Sequence, residues 1–129
     1  MSTLKIVLRL NALSCLCFGI VFILIPSKIS NFLATEQVAP AIIISIIGLV
    51  LIINAVHLVW TSFKTVPSRK DILYFSLGDF AWVLATLILI MLEMGITTTQ
   101  GIISSLLVAA MVGCFGLLQF KSLKQMEPQ

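Results

Sequence analysis

Four long apolar stretches dominate the chain, at about residues 6–25, 41–60, 72–92 and 101–120, and polar residues gather in the short segments between them. Each stretch holds roughly the 20 residues a helix needs to cross a hydrocarbon core about 30 Å thick. Membrane β-barrels are built from alternating segments of about ten residues, which these continuous runs are not. Pro26 closes the first run, and Pro40 opens the second, where a missing N–H costs nothing.

The connections read PSKISNFLATEQVA, TSFKTVPSRK and EMGITTTQ. Short connections fold each helix back along its predecessor. The expected architecture is therefore all-α and polytopic, an antiparallel four-transmembrane-helix bundle forming one membrane domain over 1–129. In the first connection Ile29, Phe32 and Leu33 sit at helical spacing, as in a short turn lying on the membrane surface.

Composition agrees. The chain is 60% hydrophobic and 10% charged, with a mean hydropathy of +1.17, whereas soluble domains carry about 25% charged residues. So few charges cannot cover a water-facing surface, and the lipid bilayer is the expected partner. The net charge of +3 comes from basic residues scattered singly, without a basic face, so no nucleic-acid binding is expected. Their placement is more informative. Lys5, Arg9, Lys64, Arg69, Lys70, Lys121 and Lys124 fall on one side of the expected membrane and only Lys28 on the other, which places both termini in the cytoplasm. Trp60, Phe63, Tyr74 and Phe120 mark the cytoplasmic boundary as an aromatic belt would. The first run continues for about 16 residues after Arg9 with no small-residue cleavage site behind it, so it is read as a retained span rather than a signal peptide.

Lipid gives helices no hydrophobic reason to associate, so small residues that permit close approach become important. In the fourth span Gly101, Ser105, Ala109, Gly113 and Gly116 form one stripe. Ala41, Ser45, Gly48 and Ala55 do so in the second, and Gly78, Ala81 and Ala85 in the third. These stripes are expected to serve packing inside one chain. The fourth is long enough that a homodimer or larger membrane complex stays open.

Ionisable groups within a span are costly and point to function or to a specific partner. Here they are Arg9, His57 and Asp79, with Asn11 and Asn54 as uncharged company. Counting about 1.5 Å per residue, Arg9 and His57 lie about 5 Å in, Asn54 about 9 Å and Asp79 about 10 Å, all in the cytoplasmic half. Asp79 is too short to reach the interface. Arg9 is the cation nearest to it in depth, so an Arg9–Asp79 pair helped by Asn11 or Asn54 is expected. A flank charge at Arg9 and a hydrogen-bonded acid at Asp79 are the plainer alternatives. Asp79, Trp82 and Thr86 share a helix face, and Trp82 lies deeper than the belt where tryptophan usually sits. Arg9, Asn11, Asn54, His57, Asp79 and Trp82 thus outline a polar cluster. It is either interhelical glue or a chamber open to the cytoplasm.

Catalytic and cofactor chemistry finds few candidates. A single histidine cannot give a bis-histidine haem site, and zinc or di-iron sites lack ligands. Cys15, Cys17 and Cys114 lie in apolar runs without a CxxC pair, and no phosphate loop or GxSxG occurs. No enzyme, no cofactor and no metal are expected.

Leu8-Arg9-Leu10-Asn11-Ala12 opening the first span, with Gly19, Pro26, Gly48, Trp82 and Gln119, resembles small bacterial four-helix integral membrane proteins of unassigned function. Fewer features are similar to DoxX-type four-helix proteins. The resemblance implies a multi-pass protein of a bacterial inner membrane and carries over no site residue. Two functions are weighed. One is a structural or accessory subunit acting through helix–helix contacts. The other is a small-molecule or proton-coupled transporter using a cytoplasm-facing chamber around Asp79.

Overall fold

In the computed structural model, which describes residues 3–125, each apolar run is a helix and the first connection forms one more. The termini of the expected 1–129 domain, residues 1–2 and 126–129, lie outside the described residues. The elements are α1 (Thr3–Leu24), α2 (Pro26–Leu33), α3 (Ala41–Ser62), α4 (Arg69–Met91) and α5 (Thr99–Gln125). α1, α3, α4 and α5 are long and apolar enough to cross a membrane.

The breaks follow local chemistry. A residue before proline is pushed out of the helical region, and Ile25 accordingly adopts φ −135°, ψ 54° while Pro26 starts α2. The turn expected through Ile29, Phe32 and Leu33 is thus an eight-residue helix. Thr98 starts α5: its Oγ1 accepts from Gly101 N at 3.0 Å and donates to the Phe32 carbonyl at 2.7 Å. Leu33 O also accepts from Thr97 N at 2.8 Å, and Gln37 O from Gly95 N at 2.9 Å. These bonds tie the α2–α3 and α4–α5 connections together. Gln37, Glu93 and Gly95 take positive φ there, which lets the chain turn sharply.

The long helices pack as two pairs. α1 runs along α3 and α4 along α5, with a lighter seam between α1 and α5. Glycines set the close approaches. A methyl group on Gly19 would sit 2.7 Å from Ile52 Cγ1 and 2.8 Å from the Gly48 carbonyl oxygen, and one on Gly116 would sit 2.9 Å from Phe80 Cε1. Gly101 meets Leu33 of α2 just as closely.

The hydrophobic core gathers where the α3–α4 turn lies beside the beginning of α1 and the end of α5. It comprises Leu8, Ala12 and Cys15 of α1, Ala55 and Leu58 of α3, Ile72 and Phe75 of α4, and Leu123 of α5. Arg69 Nη1 donates to the Leu123 carbonyl at 2.6 Å, fastening the start of α4 to the last turns of α5. α3 and α4 are successive, yet their backbones do not run together as those of α1 and α3 do. Their polar and aromatic contacts collect beside the turn that joins them, and farther along they part.

Candidate functional site

Asp79 is the point on which the two helix pairs converge. It is buried in α4 with 6% of its surface exposed. Its Oδ2 accepts from Gln119 Nε2 of α5 at 2.7 Å and from Asn11 Nδ2 of α1 at 3.0 Å. Asn11 Nδ2 also donates to Gln119 Oε1 at 3.0 Å, closing a triangle among three helices. Gly116, one turn before Gln119, makes this reach short, since a methyl group there would lie 3.1 Å from Asp79 Cβ. A thread of softer bonds extends the triangle into α3. Asn54 Nδ2 donates to Cys15 Sγ at 3.5 Å, and the Cys15 thiol donates to Asn11 Oδ1 at 3.6 Å.

The expected Arg9–Asp79 pair does not form. Asp79 takes its hydrogen bonds from two neutral amides. Arg9 Nε donates to Ser62 Oγ at 3.3 Å, and its guanidinium carbon lies 4.5 Å from the centre of the Phe63 ring. Asn11, two residues from Arg9 and on a different face of α1, points to Asp79 in its stead. An amide can satisfy a buried acceptor without bringing a second charge out of water. His57 also stands apart from the Asp79 network. Its Nε2 lies 3.4 Å from Asp71 Oδ1, and Lys64 Nζ reaches Asp71 Oδ2 at 3.5 Å. The His57 ring packs edge-on against Phe75 at 4.7 Å between centres. Of the six residues of the expected cluster, Asn11, Asn54, Asp79 and Trp82 come together, and Arg9 and His57 do not join them.

Those four line a cavity of about 580 Å³ between the helix pairs. Ser14, Cys15 and Phe18 of α1, Ile46, Ile47, Val50 and Leu51 of α3, Tyr74, Phe75, Leu77, Gly78 and Ala81 of α4, and Val108 and Val112 of α5 complete its walls. Gly78 and Ala81, expected to serve helix packing, form wall instead, and a methyl group on Gly78 would meet nothing within 4 Å. Trp82 is half-buried beside the cavity, and its carbonyl accepts from Thr86 Oγ1 at 2.8 Å. Arg9 opens onto a separate shallow groove between α1 and α3.

In the small-residue stripe of α5, Gly101, Ala109 and Gly116 are buried, while Ser105 and Gly113 are half-buried. Gly101 faces α2, and Gly113 and Gly116 face α4. Gln119 is the site residue that sequence reasoning missed. The fourth span was expected to end near residue 120, which makes Gln119 a boundary residue. The helix runs on to Gln125, so Gln119 lies about 9 Å inside its end. It is fully buried. A polar side chain in helical register with Gly116 was the available signal.

Among the described residues no three His, Cys, Asp or Glu side chains gather as they would around a metal ion. Comparison with protein-family models, with curated proteins and with solved structures finds no match to this chain.

Proposed function

We propose that this chain is a multi-pass protein of a bacterial inner membrane, an antiparallel four-span bundle with both termini cytoplasmic, that binds a small apolar guest from the bilayer without transforming it. One observation carries the reading: successive helices α3 and α4 part around a cavity of about 580 Å³ whose wall includes a buried aspartate. That volume falls in the ~300–1,000 Å³ range of small-molecule sites. A purely cohesive cluster needs no such space beside it. The outer part of the cavity, around Phe18, Ile46 and Val108, is apolar. This favours holding a guest over passing a polar solute across the membrane.

The test uses the second tryptophan of the chain. With Trp60→Phe, Trp82 becomes the sole tryptophan and reports on the cavity. Titrating 1-bromooctane into nanodiscs should quench it saturably, and Gly78→Leu, which fills open space, should abolish the saturable part. Quenching that rises only in proportion to bromooctane in the lipid would refute a site. The orientation is tested in a chain whose native cysteines are replaced by alanine. A membrane-impermeant maleimide should label Glu36→Cys on intact cells and Lys70→Cys only after permeabilisation.

A structural or accessory subunit acting through helix–helix contacts is the second reading, and a different observation favours it. The Asn11–Asp79–Gln119 triangle ties α1, α4 and α5 together, so the cluster also serves cohesion.

A further inference from the structure

We infer that the guest of this cavity is an amphiphilic primary amine, bound as its ammonium on Asp79 with its hydrocarbon body along the apolar walls. The inference rests on the binding reading above and adds the chemistry of the ligand.

The first ground is an asymmetry in the hydrogen bonding of Asp79. Both of its donors, Asn11 Nδ2 and Gln119 Nε2, converge on Oδ2. No donor of the described residues reaches Oδ1, although Asp79 lines the cavity. A carboxyl group inside a span is expensive to leave partly satisfied, and a donor supplied by a ligand repays most there, where water does not compete. The second ground is charge. Among the residues lining the cavity, Asp79 is the one carboxylic acid, and no Lys, Arg or His stands with it. The carboxylate therefore repels an anionic head and accepts one hydrogen bond at Oδ1 from a neutral one. An ammonium makes that same bond as an ion pair, with charge on both donor and acceptor. The third ground is the wall itself. Trp82 lies one turn beyond Asp79 on the same helix and borders the same cavity. An indole face attracts a cation more strongly than any other side-chain ring. Beyond it the lining is aliphatic, as at Ile46 and Val50. A head that donates at one end and a hydrocarbon tail at the other match this sequence of surfaces.

The way in is lateral. α3 and α4 make their polar and aromatic contacts beside the turn and part beyond it. An amphiphile already dissolved in the bilayer can enter between them without crossing water.

The test is competition in nanodiscs of neutral lipid at pH 7, using the Trp60→Phe protein and 1-bromooctane as the quenching probe. Octylammonium, 1-octanol and octanoate are added at matched membrane concentrations. Octylammonium should restore Trp82 emission with an affinity about tenfold tighter than octanol, the worth of one charge-assisted bond, and octanoate should be weakest. Asp79→Asn should erase the preference for the amine while bromooctane still quenches saturably, because an amide at this position can face the cavity with its NH2 group. If Asp79→Asn does not fold, the ranking of the three competitors on the unmutated site decides alone. Octanol competing as well as octylammonium would overturn the amine and leave the apolar site standing. Absence of saturable quenching by bromooctane would overturn the site and the amine together.

Discussion

Replacing Gln119 by leucine should cost the folded protein about 1–3 kcal/mol, out of proportion to a change that nearly conserves volume. Gln119 is fully buried, donates to Asp79 Oδ2 at 2.7 Å and accepts from Asn11 Nδ2 at 3.0 Å. Hydrogen bonds between membrane helices average about 0.6 kcal/mol and reach about 1.7, so two of them contribute about 1.2–3.4 kcal/mol. The upper part of that range applies if Asn11 keeps an N–H with no partner, since a stranded buried donor costs more than the bond it lost. Leucine fills the space against Asp79 and Asn11, so little of the loss comes from a cavity. The assay is reversible unfolding in mixed micelles at rising SDS fraction, with Gln100→Leu, an exposed position on the same helix, as the control. Combining Gln119→Leu with Asp79→Leu, which leaves no acceptor at position 79, supplies the coupling. The double variant should lose clearly less than the sum of the singles, because the second change removes a bond already broken. Losses that add to within about 0.5 kcal/mol would mean the two side chains do not act together, and the triangle would then be an incidental contact.

The same assay distinguishes Arg9. Arg9→Gln and Asp79→Asn should be additive, since Arg9 bonds Ser62 and stacks on Phe63; a coupling above about 1 kcal/mol would restore a direct pair. Gly116→Ala should destabilise by about 1–3 kcal/mol, because its methyl group would press on Phe80 at 2.9 Å. Gly78→Ala, with open space around it, should instead stabilise by up to about 1 kcal/mol in the same unfolding curve. Thr98→Ala should cost about 1 kcal/mol through loss of the α5 cap and its bonds to α2, and amide hydrogen exchange should rise first at Gly101.

How much was legible without tertiary structure differs from element to element. The four long helices were, because a backbone in lipid must satisfy its own N–H and C=O groups, and about 20 apolar residues leave it little besides a helix. The break before Pro26 was legible for a similarly local reason, since proline dictates the conformation of its neighbour. Asp79 stood out as a buried acid that needs partners, and Asn11 was already named as a helper.

What the sequence determined by itself is thus what the solvent and the chain's own backbone dictate: the four long helices and the costly residues within them. Only the tertiary structure decided which of those residues meet. Arg9 and Asn11 are two positions apart, and the rotation of α1 turns Asn11 to Asp79 and Arg9 to Ser62 and Phe63. Gln119 entered because α5 continues past its lysines to Gln125 and because Gly116 brings it against α4. Gly78 and Ala81 became the wall of a cavity because α4 packs on α5 and leaves α3. Rotation, helix length and the choice of neighbour are settled by contacts between segments distant in the chain, and a periodic apolar pattern that faces lipid on most sides carries no record of them.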